Sequence, residues 1–163
     1  MKKFEILEKT INGLHRIKAL RDFNDVKKED IGGFVQSEKN LSHDGDCWIY
    51  HDAWVSGNAR VIGNAKVFGD ARVCGDAWVS GYALVYGDAW VYKNAKVCGD
   101  ARVFGDARVC GDAWVCGNAR VSGDAWVFGN ARVSGEARVC GNAMVCENAR
   151  FEGTAKGEEI ITS

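Results

Sequence analysis

The stretch GDAWVCGNARVSGDAWVFGNARVSG, Gly111 to Gly135, repeats one phrase four times with a period of six. Counted from the glycine, the phrase is Gly, Asp or Asn, Ala, variable, Val, variable. Outward from this stretch the register holds from Gly45 to Glu152, 18 hexads without an insertion. The first position departs from Gly only at His51, Lys93 and Glu147, and the second departs from Asp or Asn only at Tyr82 and Glu136. The third is Ala except at Cys47, and the fifth is Val except at Ile49 and Phe151.

Ala-x-Val-x alternates apolar and variable residues, the period of a strand with one buried face. Ala and Val are therefore expected inside and the two variable positions outside. Gly followed by Asp or Asn marks a bend, because these residues tolerate positive φ. A four-residue strand with a bend every six residues leaves no room for regular hairpins, but it can stack on the coil above. Proline would delete a ladder hydrogen bond in such a strand, and the chain has none.

This V-x-G-[DN]-A-x repeat resembles the hexapeptide repeat of left-handed parallel β-helices. The resemblance implies an all-β fold, a left-handed triangular solenoid of about six regular 18-residue coils. The left hand comes from the resemblance alone, since the usual crossover rule is right-handed. Residues 1–32 read as an N-terminal β-hairpin cap, with Asn12-Gly13 as the turn. Residues 33–44 read as an irregular first coil, its inward small-residue column running Val35, Leu41, Cys47, Ala53. Residues 45–152 are the regular β-helix, and 153–163 a C-terminal cap. The segment Leu20-Arg21-Asp22-Phe23 ahead of Gly32-Gly33-Phe34-Val35 resembles the opening of small hexapeptide-repeat proteins of bacteria and their phages, a likeness that carries no activity with it.

Composition narrows the function classes. The chain is 47% hydrophobic and 26% charged, which excludes a disordered composition. A formal net charge of −1 argues against strong global attraction to nucleic acid or anionic membrane. No apolar run could span a bilayer, and no apolar signal core follows the first lysines. An unexported, cytoplasmic protein with no membrane partner is the expectation. Its seven cysteines are then expected as thiols, Cys98 and Cys116 included.

With three hexads per coil the outward positions form columns. The first side carries Trp54, Arg72, Trp90, Arg108, Trp126 and Met144. The second carries Arg60, Trp78, Lys96, Trp114, Arg132 and Arg150. Both alternate indole and cation, and each cation is expected to lie between two indoles in cation–π contact. The third side carries Trp48, Lys66, Leu84, Arg102, Arg120 and Arg138, with Tyr50, Phe68, Tyr86 and Phe104 beside them. The Trp/cation columns are candidates for binding a nucleotide, an oligonucleotide or a carbohydrate, or they stabilise the sheet as cross-strand pairs. Arg102, Arg120 and Arg138 could hold an anion. The four-ring column is a candidate surface for self-association as a dimer or trimer, or for another protein. At the corners, Asp70, Asp88 and Asp106 could bind calcium or accept backbone N–H bonds at their bends.

The resemblance also implies an enzyme to consider, because many hexapeptide proteins are acyltransferases with a catalytic His near a projecting loop. Here His43 and His51 are the catalytic candidates, both at the N-terminal end, and no loop interrupts the hexads. No triad of histidines for zinc is available and no phosphate-cradling glycine cluster exists, so no cofactor is implied. The sequence thus favours a non-catalytic scaffold or binding module acting through flat sides. An acyltransferase with an atypical site is the alternative, and a nucleotide binder of phage origin a third.

Overall fold

The computed structural model describes all 163 residues. The chain is an all-β parallel solenoid of about seven turns, closing after three hexads. Strands one coil apart pair in parallel with an offset of three hexads, for example Trp90 on Arg108 and Val91 on Val109. The coils form three sheets of ten, seven and six strands. The only helical element is a single 3-10 turn, Glu38–Asn40.

Interior and corners follow from the hexad. Every Ala from Ala53 to Ala143 and every Val from Val55 to Val145 in the register is completely buried. Two inward rows of short side chains fill a tube too narrow for anything larger. Stacking is held by bonds such as Trp54 N–H to the Ala71 carbonyl at 3.0 Å and Ser56 N–H to Val73 at 3.0 Å. The bends lie at positive φ: Gly105 has φ +67°, and a Cβ there would lie 3.0 Å from the Gly123 nitrogen. Glycine is needed at this corner for the dihedral and for the close approach of the next coil.

The two ends depart from the expected register. Strand β1 (Phe4–Ile11) and strand β2 (Leu14–Ala19) form an antiparallel hairpin, and β2 pairs antiparallel with strand β3 (Ile31–Val35). β3 then runs parallel to Trp54–Val55, the first regular strand of the first side, so the hairpin continues that side's sheet, and β3 straddles the boundary drawn between cap and coil. Val35 stacks on Val55 and Leu41 on Val61, a wider offset than the regular three hexads. They therefore occupy the valine column, and their placement in the small-residue column with Cys47 is corrected. Two extra residues between Leu41 and Ile49 cause the shift. At the other end, Thr154 pairs with Arg138 and Ile160 with Met144, a narrower offset than three hexads. Residues 153–161 thus pair as a shortened further turn where the C-terminal cap is expected.

The hairpin alone does not close the first coil. Three side chains do. Lys3, fully buried, donates from Nζ to the carbonyls of Gly45 (3.2 Å) and Cys47 (2.8 Å). Buried Asn40 donates to the carbonyls of Gly57 (3.0 Å) and Ala59 (2.9 Å). One coil on, the equivalent carbonyls of Gly75 and Ala77 accept from Asn58 and Arg60 amides, so Asn40 replaces a missing preceding coil. Arg16 donates to the carbonyls of Gly32 and His51 and pairs with Asp52 at 2.8 Å.

Candidate functional site

On the first side, Trp54, Arg72, Trp90, Arg108 and Trp126 stack in register. The Arg72 guanidinium lies 5.5 Å from the Trp54 ring and 5.8 Å from Trp90, and Arg108 lies 5.3 Å from Trp126. On the second side Arg60 lies 5.7 Å from Trp78, and Trp114 is held between Lys96 at 4.9 Å and Arg132 at 5.3 Å. Only Arg72 sits between two indoles. The expectation that every cation would is corrected: a long side chain leaning toward one neighbouring coil leaves the other. These columns are largely satisfied within themselves. Trp90 also packs on Tyr92 at 4.9 Å and donates Nε1–H to the Cys74 sulfur at 3.3 Å, and Trp126 meets Phe128 edge-on at 5.8 Å.

That packing brings out a column that the hexad pattern does not single out. The last outward positions of the first side run Cys74, Tyr92, Cys110, Phe128 and Cys146, alternating sulfur and ring. Its signal in the sequence is the same three-hexad spacing. Burial, and then the hydrogen bond with Cys110, push the Tyr92 hydroxyl up to about 12. On the second side the Cys98 thiol is pushed up, first by burial and then by its neighbour Cys116. All seven cysteines are free.

The third side differs. Trp48, outward by register, is only 1% exposed because residues 20–30 fold over it. Phe23 meets its ring edge-on at 5.3 Å. Tyr50, a candidate for self-association, is half-covered by the same segment: its hydroxyl donates to Asp25 at 2.9 Å, and Lys66 bonds the same carboxylate oxygen at 2.9 Å. That Lys66 contact, set against partial burial, holds the Asp25 carboxyl below its ordinary range. Phe68, Tyr86 and Phe104 remain as a ladder of parallel stacked rings, 4.8 and 4.9 Å apart with 2° between planes. Beside them Arg102, Arg120 and Arg138 stack in register, all exposed. Every ion pair of the protein lies within residues 2–66, and no aromatic ring faces these three guanidinium groups, in contrast to Arg72, Arg108 and Arg132.

At the corners, Asn58 and Asn94 donate side-chain amide hydrogens to Asp76 and Asp112 of the next coil, both at 3.0 Å. The expected bonds from backbone N–H groups to Asp side chains at their own bends are not how these corners are held. No group of three or more His, Cys, Asp or Glu side chains is assembled for a metal. Asp70, Asp88 and Asp106 are exposed one above another, and Asp88 and Asp106 share a shallow pocket with Arg72, Trp90 and Arg108.

The two histidines are separated by the cap. His43 is stacked on Phe4 at 4.3 Å, accepts the Lys3 amide at Nδ1 and meets Glu38 at 2.8 Å through Nε2. Both ring nitrogens are engaged. His51 is exposed at a corner with φ +54°. The buried Lys3 ammonium also bonds the Cys47 sulfur at 3.3 Å; burial lowers the Lys3 pKa and raises that of the thiol.

A groove of about 520 Å³ opens where the cap meets the third side, lined by Asn24, Asp46, Asn64, Lys66, Phe68, Tyr82 and Leu84.

This geometry defines a parallel β-solenoid repeat protein with decorated flat sides. A family model described as the YdcK beta solenoid repeat matches residues 95–111 and 113–128, both within the regular coils. The match bears on the repeat architecture and carries the transferase resemblance no further. No curated protein matches the chain. No helix is long and apolar enough to cross a membrane.

Proposed function

We propose that the chain is a non-catalytic β-solenoid scaffold, left-handed as its resemblance implies, that recognises an extended anionic partner along its third side. One observation carries this reading: the cations of the three sides differ in what satisfies them. Most on the first two sides rest on indoles one coil away. Arg102, Arg120 and Arg138 have neither ring nor carboxylate, and stacked about 4.8 Å apart they repel one another. An anion running along the column removes that repulsion and gains charge-assisted hydrogen bonds. The rigid sheet spaces the guanidinium groups in advance, which lowers the entropy cost of binding. The non-catalytic reading rests on His43, whose ring nitrogens are both occupied, and on His51, an exposed corner residue whose ring bonds no other side chain.

The test measures capture of fluorescent heparin, poly-L-glutamate and single-stranded DNA at several salt concentrations. One of the three is expected to bind, with affinity falling steeply in salt. Reversal of Arg102, Arg120 and Arg138 to Glu should abolish capture, while Arg72→Glu with Arg108→Glu should leave it. Equal loss from both sets, or no capture of any probe, refutes the reading. Sedimentation of the same proteins across concentrations reads self-association: a dimer or trimer lost with Phe68→Ser and Phe104→Ser would assign the ring ladder to a second copy instead.

A further inference from the structure

We propose that the groove between the cap and the third side is a carbohydrate subsite, seating one uncharged sugar ring with its apolar face against Tyr82. The inference rests on the third side being the recognition face, and it places a neutral sugar ring in the groove beside the arginine column that takes the anionic part of the partner.

The repeat itself marks the place. The hexad Gly81 to Tyr86 keeps its inward Ala83 and Val85 completely buried, so the tube is unaffected. Its outward residues depart from the pattern twice, side by side. Tyr82 stands where every other corner carries Asp, Asn or Glu, and Leu84 stands in a column that has Lys66 before it and Arg102 after it. Neither departure serves the interior. Tyr82 is 64% exposed and stacks on no other ring, while Phe68, Tyr86 and Phe104 spend their faces on one another. A free aromatic face beside an aliphatic side chain suits the C–H face of a sugar ring.

The coils before this hexad supply polar groups on the same face, with Asn64 one coil before Tyr82 and Lys66 paired beside Leu84, and their charge decides the ligand class. The Asn64 side-chain oxygen accepts the Asp46 amide at 3.0 Å, which leaves its two N–H donors for a ligand. The half-buried Asp46 carboxylate offers acceptors. The Lys66 ammonium is already paired with Asp25 at 2.9 Å. An anionic group entering here would meet the Asp46 carboxylate with no spare cation to offset it. A nucleotide phosphate is therefore disfavoured, and a neutral polyol with an apolar face fits both the aromatic and the polar part of the lining. The groove is open to solvent, and its volume of about 520 Å³ leaves room for a single ring laid against it.

The test is saturation-transfer NMR with maltotriose, cellotriose and chitotriose, and with AMP as the charged competitor. One of the neutral trisaccharides should take up saturation, strongest at ring C–H protons. Tyr82→Asp and Leu84→Arg each restore the pattern of their column, so they keep the fold, which circular dichroism checks. Each should cut the signal at least five-fold, and Trp126→Ala should leave it. Saturation of none of the three sugars, saturation of AMP alone, or a signal that survives Tyr82→Asp overturns the proposal. If the sugars fail while polyanion capture remains sensitive to Arg102, Arg120 and Arg138, this inference falls and the third-side reading stands.

Discussion

Replacing Val109 by Ala tests the interior directly. Val109 is completely buried midway along the tube and stacks between Val91 and Val127. The substitution removes two carbons from the core. At about 0.8 kcal/mol per buried methylene the transfer loss is about 1.6 kcal/mol. The valines above and below are fixed by ladder hydrogen bonds and cannot collapse into the gap, so a cavity contribution of about 1 kcal/mol adds to it. A total of about 2.5 kcal/mol corresponds to a Tm lower by roughly 5–10 °C for a chain of this length. Urea denaturation followed by far-UV circular dichroism measures it, with Arg108→Ala as the control next door. Arg108 contributes one partly exposed contact to Trp126, worth about 0.5–1 kcal/mol. Equal costs for the two variants, or a cost below about 0.5 kcal/mol for Val109→Ala, would mean that the valine column does not form the core.

Three further outcomes follow from particular atoms. Gly105→Ala should cost about 1–2 kcal/mol, because its φ of +67° is unfavourable for an L-residue; His51, Lys93 and Glu147 adopt similar angles, so the variant should still fold, and a thermal melt reads the difference. Lys3→Met should cost about 1–3 kcal/mol by stripping the Gly45 and Cys47 carbonyls of their donor, and hydrogen exchange should show lost protection first in the coil that begins at Gly45. Tyr92 has its hydroxyl pKa raised to about 12, so folding favours the neutral phenol. Its contribution to stability is complete below the ordinary value near 10 and disappears as pH climbs toward 12. Denaturation between pH 9 and about 12 should show a smaller alkaline loss for Tyr92→Phe than for the parent.

The regular coils were legible because each hexad repeats one local decision. Ala53 through Val145 alternate inward and outward, and the glycine bend resets the register after every strand. Pairing three hexads along then follows from three bends per turn, and the columns on each side follow from the pairing. The groove was half legible: Tyr82 breaks its corner and Leu84 its column within one hexad, but the lining around them includes Asn24 from the cap.

The repeat alone determined the all-β solenoid, its buried alanine and valine rows, and the order of residues along each flat side, because these depend only on periodicity and burial. Tertiary structure decided how the ends are built and which outward residues stay free. Lys3, Asn40 and Arg16 terminate carbonyls of the first coil, and residues 20–30 cover Trp48 and half of Tyr50. Such contacts join segments far apart in the chain with no shared period, as Lys3 joins Cys47 and Asp25 joins Lys66, so their energy appears only once the cap has folded onto the tube.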